Sequence, residues 1–344
     1  MRISKQKLKR EIVEKWTGYN SKLEGLIPHL NLEHYRVIKG TSVGGDAPKE
    51  LLRVYEYESG KRQIHNPKKW PVFIAKTGHK WYPFESISEY MLNRLGVGIG
   101  LTMAESRLYF INGQIRFLSK VFRDDRNQIL EHGAELYSGY LGDKTFVEQV
   151  EESNMARDFF TLSFTRETLD YIYAHQAEDI FLDLVKMLVF DAIIGNNDRH
   201  FYNWGVVKHL DHKHQPRFSP IYDTARALMW NRSEEQVISY FNDHSRCESM
   251  LRKYVNNSRP KIGIEKNSNC NHIDMVRLLN SGKFKGTKEI VYDFINEEVV
   301  KKSIEVLRDE FDSLLGEERM SLITKCLSLR FKVLLKEISS AKTS

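Results

Sequence analysis

The stretch that decides the fold is Asp191-Ala-Ile-Ile-Gly-Asn-Asn-Asp-Arg-His-Phe-Tyr-Asn-Trp-Gly-Val-Val207. Ahead of it runs a dense apolar segment from Ile180 to Ile194. Apolar residues occupy nearly all of its helical faces, so it reads as a buried helix. Gly195 follows where helices commonly end in a left-handed residue. Polar groups then crowd together: Asn196, Asn197, Asp198, Arg199, His200 and Asn203. Trp204 to Val207 is apolar again and reads as a strand. A loop held between a buried helix and a strand is a rigid mount for reactive groups.

The rest of the composition limits what that loop could serve. The chain has 344 residues, with 41% hydrophobic and 28% charged, which is ordinary for a globular protein. That length allows one large domain or two lobes around a cleft. The sequence has no apolar run long enough to span a membrane. Its start, Met1-Arg-Ile-Ser-Lys-Gln-Lys-Leu-Lys-Arg10, lacks the apolar core of a secretory signal. The expectation is a cytoplasmic protein, although a signal-less secretion route would leave no trace. Cys247, Cys270 and Cys326 are odd in number and far apart, which argues against a disulfide framework. The formal charge of +6 suits a nucleotide or an acidic partner but is too weak to argue for direct nucleic-acid binding.

Before the deciding stretch the pattern is strand-like. Residues 5–16 read as an exposed amphipathic helix. Tyr35 onward and Leu52 to Tyr57 carry β-propensity on either side of Thr41-Ser-Val-Gly-Gly-Asp-Ala-Pro-Lys49. Glycines there let backbone amides approach an anion and Lys49 adds charge, while a plain hairpin loop is the more ordinary reading of an isolated Gly-Gly loop. It is not a Walker A loop. Trp70 to Thr77 is a further strand, and Lys76 within it needs an anionic partner or a route to water. Ser86 to Gly96 reads as a helix closed by its glycine. Its Glu89 could pair with Lys76, or could complete a capping box with Ser86. Asn112-Gly113 between apolar runs is the strongest hairpin signal in the chain. After Phe122 strands give way to helices, which places a lobe boundary between 1–122 and 123–344.

Beyond the deciding stretch, Lys208 to Arg217 reads as a surface turn, and its His209, His212 and His214 match no metal-ligand spacing. Pro220-Ile-Tyr-Asp223 comes after a strand, a turn and a second strand. Lys253 to Asn271 is polar and reads as a long loop. From Lys288 the pattern is helical, fraying from Lys336.

Taken in order, these segments resemble the HipA-type serine/threonine kinases. That bacterial group is distantly related in fold to eukaryotic protein kinases and phosphoinositide kinases. The resemblance rests on Ser42-Val-Gly-Gly-Asp-Ala-Pro-Lys49, Phe73-Ile-Ala-Lys76, Ser88-Glu-Tyr90, Lys120-Val-Phe122, Asn197-Asp-Arg-His-Phe-Tyr-Asn203 and Pro220-Ile-Tyr-Asp223. The spacing from Asp198 to Asn203 is that of a kinase catalytic loop. The implied fold is α+β and bilobal, protein-kinase-like, with a β-rich N-lobe and a mostly α-helical C-lobe.

The implied activity is ATP- and Mg²⁺-dependent phosphorylation of a protein Ser/Thr hydroxyl. The resemblance gives each residue a role. Gly44, Gly45, Asp46, Ala47, Pro48 and Lys49 would cover the ATP phosphates. Lys76, held by Glu89, would pair with the α- and β-phosphates. Lys120, Val121 and Phe122 would form the hinge beside adenine, and Tyr222 would complete the nucleotide site. Asp198 would deprotonate the acceptor hydroxyl, His200 and Asn203 would complete the loop, and Asn203 and Asp223 would hold Mg²⁺. Ser42 matches the autophosphorylated serine of the family. Phosphate there would add charge where ATP phosphates sit and eject the loop. Asp46 departs from the pattern by placing a negative charge beside bound phosphate.

Full-length members carry a further N-terminal subdomain of about a hundred residues ahead of this loop. Ser42 stands too near the start for that, so the expectation is the short branch, in which that subdomain is missing or made separately. An antitoxin, or a separate N-subdomain-like protein, is the implied partner. The implied targets are translation components such as aminoacyl-tRNA synthetases. A kinase-fold interaction protein with weak catalysis and a lipid or small-molecule kinase are the alternatives.

Overall fold

The computed structural model describes residues 25–40, 49–57, 64–78, 84–123, 127–211 and 214–340. The expected N-terminal helix over 5–16 and the Gly-rich loop from Ser42 to Pro48 lie outside these residues. Among the described residues, β1 (Tyr35–Val37), β2 (Lys49–Val54), β3 (Val72–Thr77), β4 (Ser106–Ile111) and β5 (Gln114–Lys120) form an antiparallel sheet in the order β1-β2-β3-β5-β4. Side chains alternate across it, as a strand's two-residue period requires. Leu52, Val54, Phe73, Ala75 and Leu118 bury one face in a small cluster with Tyr35 and Ile111. Asn112 and Gly113 turn β4 into β5 at φ of 51° and 78°, the positive values that the Asn-Gly signal demands.

The other face of the sheet takes helix α1 (Glu85–Gly98), whose Ile87, Met91 and Leu95 share a core with Leu108, Phe110 and Ile115. The helix starts one residue earlier and ends two residues later than the sequence suggests. Its N-cap is Phe84, which supplies no side-chain hydrogen bond. Ser86 is buried without a hydrogen-bond partner among the described residues, so the capping-box reading of Ser86 and Glu89 is wrong. The physical reason is position: Ser86 already lies inside the first turn, and Glu89 faces the sheet.

The remainder is mostly helical around a second antiparallel sheet, formed by β6 (Gln128–His132), β7 (Gly205–His209) and β8 (Arg217–Phe218) in that order. Helices α2 (Gly133–Leu141), α3 (Lys144–Glu152), α4 (Ala156–Phe159) and α5 (Leu162–Tyr173) lead to α6 (Ala177–Ile194). Then come α7 (Glu234–Asn242), α8 (His244–Asn257), α9 (His272–Asn280), α10 (Thr287–Phe294), α11 (Glu297–Leu315) and α12 (Glu317–Ser340). The polar stretch from Lys253 is not all loop, because α8 runs on to Asn257 with Leu251 and Val255 buried. Likewise α12 continues past Lys336, with Ile338 buried.

Helix α6 is the axis of this part. From Leu184 to Ile194 nearly every side chain is buried, and α5, α9, α10 and α12 pack around it. It ends at Gly195 with φ +72°. Its last carbonyls are not left bare: Arg330 of α12 donates from Nε to Ala192 O at 2.9 Å and to Ile193 O at 3.1 Å. A cation at a helix C-terminus also meets the negative end of the helix dipole. The three cysteines are buried free thiols. Among the described residues, no helix is long and apolar enough to cross a membrane.

Candidate active site

Three charged side chains from distant parts of the chain meet between sheet and helices. Lys76 on β3 lies 2.6 Å from Glu89 Oε1 on α1 and 3.1 Å from Asp223 Oδ1. Asp223 is carried on the segment after β8 and adopts φ +56°, a left-handed conformation that aspartate tolerates better than most residues. That segment is fixed to the N-terminal part by backbone bonds: Ala104 N donates to Ile221 O at 2.9 Å and Ile221 N to Thr102 O at 2.8 Å. Burial opposes the charge on Lys76, but Asp223 and then Glu89 outweigh it and hold its pKa above the ordinary value. Burial would also raise the Asp223 carboxyl; Lys76, then Lys49 and Arg199, hold it well below the usual range. Burial pushes Glu89 up to about 7, with Lys76 restraining the rise.

The loop after α6 supplies the facing wall. Asn203 Nδ2 donates to Asp198 O at 2.8 Å, and Asp198 N donates to Asn196 Oδ1 at 3.0 Å. Arg199 turns inward. It forms a two-point ion pair with Asp191, Nε to Oδ2 at 2.9 Å and Nη2 to Oδ1 at 3.1 Å. Its Nη1 also donates to Asn203 O at 2.9 Å and to the Tyr222 carbonyl. Arg199 therefore ties the Asp198 loop to the segment that carries Asp223. Burial lowers the pKa of His200, and its Nδ1 accepts from Tyr202 N at 3.3 Å, so the imidazole is neutral.

Beneath the loop lies a support that sequence reading missed. Tyr254 donates to Gly195 O at 2.8 Å, His272 Nε2 lies 2.8 Å from Asn196 O, and Arg259 N donates to Asn197 Oδ1 at 2.8 Å. These partners come from 59 or more residues away, so no local signal announces them. Asp191 takes a structural role here, paired with Arg199, a partner that no local signal announces.

The two walls enclose a cavity of about 880 Å³. Leu51, Val72, Ile74 and Leu130 give it an apolar end beside Lys120, Val121 and Phe122. Lys76, Glu89, Asp198, His200, Asn203, Tyr222 and Asp223 line the polar end, with Lys49 at its rim. The Tyr222 hydroxyl lies 2.8 Å from His132 Nδ1, and its ring is 5.8 Å from that of Phe122. The Lys120 side chain points elsewhere, to Glu105 at 2.8 Å. The amides of Lys120 and Val121 are taken by Glu105 O and Val72 O, both at 2.8 Å.

The model of the HipA-like C-terminal domain family matches residues 41–281. The chain belongs to the HipA-like family. Among solved structures, the Helicobacter pylori proinflammatory kinase CtkA is similar in fold with a TM-score of 0.68 at 15% identity, covering 91% of this chain and 98% of that one. HipA of Shewanella oneidensis MR-1, solved with HipB and operator DNA, is similar with a TM-score of 0.53 at 13% identity. It covers 88% of this chain and 67% of that one. A search of curated protein sequences finds no match. The HipA-like assignment and the bilobal α+β architecture expected from sequence both hold. At these identities the two structures speak for the fold alone.

Proposed function

We propose that this HipA-like chain is an ATP- and Mg²⁺-dependent protein serine/threonine kinase. The observation that carries the reading is Lys76 held between Glu89 and Asp223, across the cavity from Asp198 and Asn203. Phosphoryl transfer needs positioning and charge neutralisation more than covalent chemistry from the protein. The apolar end of the cavity suits a purine, and Lys76 suits its α- and β-phosphates. With the Lys120 and Val121 amides engaged, adenine recognition falls to the remaining hinge groups.

The residues fit Mg²⁺, a hard cation that takes one or two carboxylates with phosphate and water. Asp223 offers a carboxylate. Asn203 spends its Nδ2 on Asp198 O, which turns Oδ1 away from that bond as an oxygen donor. When bound, Mg²⁺ would neutralise charge on the phosphates. Asp198 then orients the acceptor hydroxyl and takes its proton.

Several finer points belong to the same proposal. Ser42 is the autophosphorylation site in this proposal, and Lys49, seven residues on in sequence, lines the cavity. The S. oneidensis relative in its complex with HipB supports an antitoxin-type partner for this chain as well. A toxin acting on a translation component is the corresponding cellular role. The test is transfer of label from ATP to protein by wild type and by Asp198→Ala, with phosphoproteomics comparing wild type and Asp223→Asn. Equal labelling by wild type and Asp198→Ala would sink the reading. Mass spectrometry after ATP incubation reads Ser42.

A further inference from the structure

A kinase, as proposed for this chain, needs positive charge beside the γ-phosphoryl group as well as on the inner phosphates. Lys76, held by Glu89 and Asp223, serves the inner phosphates in that reading. Between Asp198 and Asn203 the sequence offers one permanent cation, Arg199. Its guanidinium is buried and turned away, on Asp191 and on two backbone carbonyls. His200 Nδ1 accepts from Tyr202 N at 3.3 Å and so holds no proton there. The loop therefore brings no positive charge of its own to the side of Asp198.

Arg226 brings one from elsewhere. It lines the cavity three residues past Asp223, and its Nη1 lies 3.3 Å from Asp198 Oδ2. Its Nε lies 3.9 Å from Glu85 Oε1 at the start of α1. Its guanidinium sits 5.5 Å from the Trp230 ring centroid. The side chain keeps 35% of its exposure, so it can move without unpacking the core. The segment beneath is anchored, because Leu228 N donates to Ile194 O at 3.2 Å.

We infer that Arg226 is a catalytic arginine that contacts the γ-phosphoryl group during transfer, a role that rests on the kinase reading. An acceptor hydroxyl bonded to Asp198 would sit about 3 Å from the carboxylate. The phosphorus it attacks would lie roughly 3 Å beyond. The phosphoryl oxygens then fall within the swing of a guanidinium that already touches Asp198. Its planar fork matches two phosphate oxygens at once, which a lysine cannot reproduce. In the step itself the acceptor oxygen forms a bond to the γ-phosphorus. The bond from that phosphorus to the β,γ-bridging oxygen breaks, and ADP leaves with its electron pair. The hydroxyl proton passes to Asp198, and Arg226 keeps its charge throughout.

The experiment compares wild type, Arg226→Lys and Arg226→Ala in label transfer from Mg²⁺·ATP to protein, alongside affinity for ADP with and without fluoroaluminate. For Arg226→Ala the expected fall in kcat is ~10²–10³-fold, with the KM for ATP changed by less than about threefold. Arg226→Lys should fall between, and added guanidinium should restore part of the Ala variant's rate. Affinity for ADP with fluoroaluminate should drop while affinity for ADP alone holds, a split that a merely structural ion pair would not produce. An Arg226→Ala variant as active as wild type, or more active, overturns the inference. So does a loss of ADP affinity in parallel with a lower Tm. A wild-type chain that transfers no phosphate and binds no ADP overturns the kinase reading, and the role of Arg226 with it.

Discussion

Lys76 Nζ lies 3.1 Å from Asp223 Oδ1, joining a central strand of the sheet to the segment that follows the second sheet. The same ammonium holds Glu89. Removing it deprives Glu89 of its cation and leaves Asp223 with only the weaker influence of Lys49 and Arg199. Breaking a buried pair by deleting one partner costs about 3–5 kcal/mol. Lys76→Met should therefore unfold at lower urea concentration and lose at least ~10²-fold in ATP turnover. Turnover within twofold of wild type would contradict the role assigned to Lys76.

Asp198 differs from Lys76 in that the fold does not lean on its charge. Its backbone makes the local bonds, and among the described residues its carboxylate is ion-paired with the partly exposed Arg226. Asp198→Asn should keep the wild-type Tm and its affinity for ATP. Phosphoryl transfer should fall ~10²–10⁴-fold, the range for loss of a positioned general base. Calorimetric titration of ATP beside a transfer assay checks both halves. A fall in affinity matching the fall in rate would instead place Asp198 in binding.

Those two residues mark how much could be read from the chain alone. Period-two and helical patterns located the strands around Leu52, Phe73 and Leu118 and the buried helix up to Ile194, because each signal is local. The Asn112-Gly113 turn and the Gly195 helix end were legible for the same reason: both need a positive φ. Glu89 was ambiguous in sequence, since Ser86 offered it a local partner as good as the distant Lys76. Burial decided between them. A carboxylate beneath the sheet needs a cation, and the capping site was already inside the helix. Arg199, Tyr254, His272 and Arg330 act through contacts at long range or through backbone carbonyls. No spacing rule reports such partners.

Arg199 and Asp191 make the clearest case for cooperation between stability and site. Both side chains are almost wholly buried, at 1% exposure each. Asp191 also accepts from Asn196 Nδ2 at 2.9 Å. Asp191→Ala strands a guanidinium in the core and should cost about 3–5 kcal/mol in urea unfolding. Pairing it with Arg199→Met removes the stranded charge and should recover much of that loss. Transfer activity should not return with it, because Asn203 and Tyr222 would have lost their tie. Recovery of both together would show the pair to be packing alone.

His272 gives the site a pH dependence with a definite sign. Its Nε2 lies 2.8 Å from Asn196 O, a pure acceptor, so that nitrogen carries a proton. Nδ1 has no hydrogen-bond partner among the described residues. Burial, then the nearby Arg330 charge, pushes its pKa down to about 3. In the unfolded chain the value is about 6.5. Above pH 6.5 both states are neutral and His272 costs nothing. As pH falls from there toward 3, the unfolded chain takes up a proton that the folded chain refuses. Stability should then fall by up to about 1.4 kcal/mol per pH unit from this residue alone. His272→Asn keeps a donor for Asn196 O and cannot titrate. Wild type should exceed the variant in urea unfolding by most at pH 8, and the gap should shrink or reverse by pH 5. A gap that stays constant between those pH values would mean that His272 is not held neutral beneath the loop.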